Sequence, residues 1–391
     1  MIPSDLITRL FQIIDERAPA YAAFLEELCA IESKSDNKEG VDRVCEAVTR
    51  KGRELGFAVV DAPQEKAGNA ASILYEPDPS APLICVSAHM DTVFRAGAFG
   101  YPAVRKEGDR LKGPGVMDCK GGIAIGMLLL DAFQQVGYRD HAVKLILMSE
   151  EEIQCILSGG KTLEFLREEA KGAAAFFNLE GREPGKITTS RKGIIRACMT
   201  VRGRAAHAGD YFEGASAIRS AAYKIIRLEK QSVRDGITYN CGMIEGGTAM
   251  NVIPDICKVR IDVRVRSDAE YRKAMDVLHR VAAVEDVPGT EAEVSVISTR
   301  IPMERTEANV RLFRHIAKVC QKYGFGDMEE NHSNGGSDAA YATEMGIPTV
   351  DDLGVIGDHY HSLQEWCSLP SIAESAKIIA ASILELPAGR I

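Results

Sequence analysis

The stretch from Ile84 to Gly122 constrains this chain more than any other. It opens on a β-like apolar run, Leu83 to Val86, which gives way to small and polar residues. His89 and Asp91 follow two residues apart, and on an extended chain that spacing sends both side chains to one side. An imidazole and a carboxylate therefore leave one strand end together. After a loop comes Asp118, set among Gly113, Gly115, Gly121 and Gly122. Glycines let the backbone pack tightly around that carboxylate. A helix is predicted from Gly122 to Phe133. A histidine and carboxylates gathered at the strand ends of an α/β chain point to a metal site.

The remaining sequence fills in the scaffold. Helical periodicity marks Asp5–Glu16, Ala20–Ile31 and Gly40–Leu55; Phe57–Val60, Ala71–Tyr75 and Leu83–Ser87 read as strands. Strand Val143–Met148 leads into three consecutive acids, Glu150, Glu151 and Glu152. Helix Thr162–Glu169 follows, and strand Ala174–Leu179 runs into Glu180. This alternation predicts an α/β sheet with covered faces. The pattern then changes. Strands at 194–201, 238–244, 256–265 and 291–297, with helices at 215–230 and 268–284, give β-α-β-β-α-β, the ferredoxin-like order. A helix at 310–323, a Gly-rich loop NGGSDAA, a short apolar segment 348–350 and a helix at 369–386 complete the chain. With 391 residues there is room for two domains. We expect residues 1–188 and 301–391 to form a discontinuous α/β catalytic domain and 189–300 an inserted α+β domain.

Composition narrows the function. The net charge of −9 leaves no basic footprint for nucleic acid. The longest apolar run, Ile123–Leu130, cannot span a bilayer, and no signal segment is expected at the start. The ten cysteines form no C-x-x-C pair, and several lie in apolar runs. Free thiols in a reducing cytoplasm are the expectation.

The candidate metal ligands are His89, Asp118, Glu152, Glu180 and His361, each where a strand or loop pattern ends. Two zinc ions would bring four positive charges; three carboxylates and a bridging hydroxide would balance them. Glu151, beside a ligand, is the free carboxylate a general base requires. Asp91 is placed to accept the far ring N–H of His89 and fix its tautomer. Each element has a plainer reading. A lone His-x-Asp is usually structural, three acids in a row usually a solvated turn, and Asp118 beside glycines a turn residue. GPGVMD lacks the Gly-Lys-Ser/Thr of a phosphate loop. Their joint occurrence in one domain favours the metal.

The series SAHMDTV, GPGVMDCKGG, SEEE, NLEG, GRAAHAG, MNVIP, DVR, GGSDAA and DHYHS resembles the di-zinc exopeptidase and deacylase family. That family includes glutamate carboxypeptidase, aminoacylase, acetylornithine deacetylase, succinyl-diaminopimelate desuccinylase and peptidase T. The resemblance implies a catalytic domain interrupted by a lid and dimerisation domain. It implies that Asp118 bridges two zinc ions, with a cis peptide to Cys119. One ion would take His89 and Glu180, the other Glu152 and His361. It implies that Glu151 is the base, and that His361, which Ser362 follows, is the ligand instead of His359. His207 resembles a lid histidine that polarises the scissile carbonyl in the partner of a homodimer. Asn251 and Arg264 match substrate-contacting positions, the Arg holding a carboxylate; Gly335 and Gly336 match a loop that approaches substrate by its backbone.

The chain departs from the family at Gln154, where Gly is usual, and at Glu150, where Asp is usual. Glu180 at the fourth ligand position leans toward carboxypeptidases and deacylases. The expected activity is zinc-dependent amide hydrolysis, with Co2+ or Mn2+ able to substitute. A carboxypeptidase-type exopeptidase acting on small peptides or N-acyl amino acids is the leading reading, closest to the glutamate carboxypeptidase branch. The alternatives are an N-acyl amino-acid deacylase or an aminopeptidase or dipeptidase of the same family. A non-catalytic metal- or peptide-binding protein has no need of Glu151.

Overall fold

A computed structural model describes residues 4–386. Helix α1 (Ser4–Cys29) leads into α2 (Lys38–Glu54), whose first turn is capped by the Asn37 side chain accepting from the Gly40 N–H. Strands β1 (Ala58–Ala62), β2 (Ala70–Tyr75) and β3 (Leu83–His89) follow, then α3 (Lys120–Val136), β4 (Ala142–Met148), α4 (Lys161–Ala170) and β5 (Ala175–Asn178). The chain next builds β6 (Gly193–Arg202), α5 (Ala217–Glu229), β7 (Thr238–Gly246), β8 (Ile256–Val265), α6 (Asp268–Ala282) and β9 (Glu291–Arg300). It ends with α7 (Glu307–Tyr323), β10 (Thr349–Val350) and α8 (Pro370–Leu384).

Two compact units result. One holds the chain up to 189, 305–332 and the chain from 341; the other holds 190–304 and 333–340. In the first, six strands run in the order β1-β2-β4-β3-β5-β10. Strands β4, β3, β5 and β10 are parallel, and β1 and β2 form an antiparallel edge. From Ile84 to His89 every residue of β3 is buried, as parallel strands covered on both faces require. Helix α3 packs on β3 and against α1 and α8. Its close approach needs glycine at 122, where a Cβ would lie 2.4 Å from the Leu179 carbonyl oxygen. The parallel strands end on one side, the usual place for a site in such a sheet. His89 closes β3, the acids 150–152 follow β4, and Glu180 follows β5.

The second unit has its own core, including Ile195, Met199, Ile261 and Leu278. Its sheet is fully antiparallel in the order β7-β8-β6-β9, from the element order β-α-β-β-α-β.

Several details differ from the sequence reading. The two expected N-terminal helices are one helix with Pro19 inside it. Leu10, Ile14, Tyr21, Leu25 and Leu28 are all buried along it, on both sides of the proline. Burial at about 1.5–3 kcal/mol per large apolar side chain outweighs the roughly 3 kcal/mol an internal proline costs. The expected loop between Asp91 and Gly113 contains a hairpin, Arg105–Glu107 and Arg110–Lys112, which joins Trp366–Ser368 and Gly357–Asp358 in a small sheet. Strands of two or three residues have too few positions to show alternation. Finally, residues 333–340 group with the second unit. The Lys192 N–H donates to the Ser333 carbonyl at 3.1 Å, and Arg264 Nη1 to the Asn334 carbonyl at 3.3 Å.

Candidate active site

His89, Asp118, Glu152, Glu180 and His361 converge at the carboxyl ends of the parallel strands. His89 Nε2 lies 2.8 Å from Asp118 Oδ1 and 3.7 Å from Glu180 Oε1. His361 Nε2 lies 3.1 Å from Asp118 Oδ2 and 3.0 Å from Glu152 Oε2. Asp118 thus stands between the two histidines with one carboxylate oxygen turned to each. The peptide from Asp118 to Cys119 is cis. His361 sits at φ 60°, a left-handed conformation that costs a non-glycine residue energy, and it directs its ring into the cluster. His359 points elsewhere and lines a neighbouring cavity.

Behind these groups lies a buried scaffold. The far ring nitrogen of His89, Nδ1, is 3.0 Å from the Asp91 carbonyl oxygen and 3.2 Å from its Oδ1. Asp91 also accepts the backbone N–H groups of Glu151 at 3.0 Å and Glu152 at 3.2 Å, and the Ser35 hydroxyl at 2.6 Å. One carboxylate therefore orients His89 and fixes the turn that carries Glu151 and Glu152. Glu151 is buried at the head of a 3-10 turn, Glu151–Ile153.

Glu150 faces away from the cluster. Its carboxylate accepts the Leu157 and Ser158 N–H groups and the Thr162 hydroxyl at 2.9–3.3 Å. Gln154 takes φ 61°, the backbone conformation for which glycine is suited, so the loop keeps a left-handed turn without the glycine.

Two participants escaped the sequence reading. Glu365, fully buried, accepts backbone N–H groups from Gly115 at 3.2 Å, Met117 at 2.9 Å and Asp118 at 3.1 Å. Glu365 directly precedes a strand of three residues, too short for alternation to mark it as buried. The other is Cys119, whose thiol donates to the Leu179 carbonyl at 3.1 Å and lies beside His89 and Glu180.

Buried carboxylates and imidazoles strongly perturb one another here. Burial and then Asp118 push the Glu152 carboxyl up to about 7, against hydrogen bonding from His361. Hydrogen bonds to Asp118 and Glu152 raise His361 to about 10. Burial opposes charge on both Asp118 and His89. Hydrogen bonds from the two histidines nonetheless hold Asp118 below the usual carboxylate range, and Glu180 leads the groups that lift His89 well above the usual imidazole range. Burial and Asp118 push Glu365 up to about 8. Glu152 Oε1 is buried without a hydrogen-bond partner. The ligand atoms of His89, Asp118 and Glu152 all lie within 4.8 Å of one another, as do those of His89, Cys119 and Glu180. Imidazole nitrogen and carboxylate oxygen donors at this spacing, with an orphaned oxygen among them, fit divalent metal binding.

The other candidates belong to the second unit. His207 pairs with Val252 in a short ribbon, and the Ala208 N–H donates to the Asn251 carbonyl at 2.9 Å, so His207 and Asn251 are neighbours. His207 Nδ1 accepts the Gly209 N–H at 3.1 Å, which leaves the ring proton on Nε2. Arg264 grips Asp262 through Nε at 2.6 Å and Nη2 at 3.3 Å. Gly335 and Gly336 follow Asn334, and a Cβ at Gly336 would meet Arg300 Cδ at 2.6 Å.

Imidazole and carboxylate groups clustered at the carboxyl ends of parallel strands give a class, the α/β proteins with a candidate metal site at the strand ends. Residues 85–385 match the family described as Peptidase family M20/M25/M40, and the chain belongs to that family. It is 27% identical to carboxypeptidase G2 of Pseudomonas sp. (strain RS-16) over 387 residues, 97% of this chain and 92% of that protein. It is 28% identical to acetylornithine deacetylase of Myxococcus xanthus over 301 residues, 72% of this chain and 74% of that one. Its fold matches a tripeptidase from Staphylococcus aureus with a TM-score of 0.78 at 22% identity, covering 94% of this chain and 97% of that one. The protein is a hydrolytic enzyme of this family.

Proposed function

We propose that the protein is a di-zinc amide hydrolase, a carboxypeptidase-type exopeptidase acting on small peptides or N-acyl amino acids with a free carboxylate. The observation that carries this reading is the placement of Asp118 between His89 and His361, with Glu180 and Glu152 completing the two sides. Asp118 would bridge two ions, with His89 and Glu180 on one and Glu152 and His361 on the other. Bound there, the ions would supply Lewis acidity that activates water and polarises the amide carbonyl.

The protein's own groups do the rest. Glu151 takes a proton from water and delivers it to the leaving amine. Asp91 keeps His89 in one tautomer, and Glu365 fixes the backbone that presents Asp118. In the second unit, which we assign as lid and dimerisation domain, His207 Nε2–H donates to the carbonyl oxygen at the active site of the partner in a homodimer. Arg264 binds the substrate carboxylate, and Asn251 and the backbone of Gly335 and Gly336 contact substrate as well. Similarity to carboxypeptidase G2 over nearly the whole chain supports the peptidase reading. Similarity to an acetylornithine deacetylase supports N-acyl amino-acid deacylation as the second. All ten cysteines are free, which suits a cytoplasmic location.

The test is a hydrolysis screen of dipeptides, tripeptides and N-acyl amino acids on zinc-loaded and chelated protein. Zinc-dependent release of a carboxyl-terminal residue supports the first reading, and preference for small N-acyl groups the second. Zinc-independent turnover, or none, would remove both.

A further inference from the structure

Beside the metal cluster, the small sheet carries a cavity of about 520 Å³. Cross-strand register sets its chemistry. Arg105 lies opposite Lys112, Glu107 opposite Arg110, and Trp366 opposite Lys112, so these five side chains share one face. Leu111 and Cys367, at the alternate positions, are fully buried on the other. All five line the cavity. Lys112 is paired with Glu107 at 2.7 Å. Neither Arg105 nor Arg110 has a carboxylate partner among the described residues. The Arg110 guanidinium lies over the Trp366 indole, 4.0 Å from the ring centroid. Stacking occupies a guanidinium's face and leaves its N–H edge available for a carboxylate or phosphate. On a chain of net charge −9, a concave surface with two surplus cations concentrates anions.

A solvated outer face would be the plainer account of these charges. Two observations argue against it. The face is walled by the loop bearing His359, Leu363 and Gln364 and by Ala98, Phe99 and Ala103. An indole lies within it, already ordered by Arg110. The wall is also the segment that carries His361, and Trp366 directly follows Glu365, the group that accepts the Asp118 N–H.

We infer that this cavity is a binding site for a small anion bearing carboxylate or phosphate groups, held between Arg105 and Arg110 over Trp366. The anion is either a remote acidic group of the substrate or a separate molecule. Its existence does not depend on the reaction assigned to the metal cluster.

Trp366 is the sole tryptophan, so its emission reports the site in the intact metal-loaded protein. Inorganic phosphate and glutarate are titrated separately at ionic strength held constant with sodium chloride. A saturable change in emission is expected for at least one of them. Arg105→Ala, which leaves the Arg110–Trp366 stack in place, should weaken that binding by about tenfold or more, the value of a charged hydrogen bond. Arg105→Glu should abolish it while the anion-free spectrum stays that of wild type. The metal cluster remains intact in both variants, so an anion bound there would show the wild-type affinity. A response to both anions no larger than that to chloride, or equal affinity in the three proteins, overturns the site. Kinetics then separate the sources. If Arg105→Ala raises KM only for substrates with a second acidic group, the cavity receives the substrate. If KM is unchanged for all, the anion is a separate ligand.

Discussion

Glu365 Oε1 accepts the backbone N–H of Asp118 at 3.1 Å, and the same carboxylate holds the N–H groups of Met117 and Gly115. The residue between the two histidines is therefore fixed from behind by a residue distant in sequence. Glu365→Ala leaves three buried donors unpaired, at roughly 1–3 kcal/mol each. Denaturant unfolding should show a loss of at least about 2 kcal/mol, and zinc affinity should fall about 10- to 100-fold. Unchanged zinc affinity in a folded variant would limit Glu365 to stability.

Glu151 has a separable role. Glu151→Gln keeps its backbone N–H, and with it the hydrogen bond to Asp91, so the turn and both zinc ions should remain. The proton shuttle is lost, and kcat should fall by about 100- to 10,000-fold. Activity within a few-fold of wild type would rule out this base; Glu150, held by the 157–162 segment, is no ready substitute.

The left-handed turn at Gln154 gives a stability prediction. Its side-chain Oε1 is buried without a hydrogen-bond partner, and its φ of 61° suits glycine better. Gln154→Gly should stabilise the protein by about 1 kcal/mol, the cost of a left-handed non-glycine residue. A fall in the denaturation midpoint would show that side-chain packing outweighs backbone strain there.

Arg264 shares its guanidinium with Asp262, a pairing that orients the fork. Amidating the substrate's carboxyl terminus should raise KM by about tenfold or more, since a charge-assisted pair is lost. Arg264→Lys should raise KM for the free acid and narrow the difference between acid and amide. Equal turnover of acid and amide by the wild type would point to an aminopeptidase instead.

Much of this architecture is written locally. The i, i+2 spacing of His89 and Asp91, the acids after β4 and Glu180 after β5 are each fixed by where one strand ends. The β-α-β-β-α-β order likewise emerges from successive short-range periodicities. What escaped depends on distant partners. Glu365 acquires meaning only from amides near Asp118, and residues 333–340 join the second unit through hydrogen bonds to Lys192 and Arg264. Pro19 stays helical because tertiary burial on either side outweighs a local rule. The two histidines of DHYHS share a left-handed backbone, φ 62° and 60°, and differ only in what their rings meet, which spacing does not encode; family context marks His361.

The central claim is that two zinc ions held around Asp118 make this chain an amide hydrolase. The most direct test titrates metal-free protein with zinc while following peptide hydrolysis and bound zinc together. Activity should rise to a plateau at about two zinc ions per chain, the stoichiometry of a two-metal site. Asp118→Ala should hold well under two and stay inactive. Full activity in the metal-free protein, or two tightly held zinc ions in Asp118→Ala, would contradict the account.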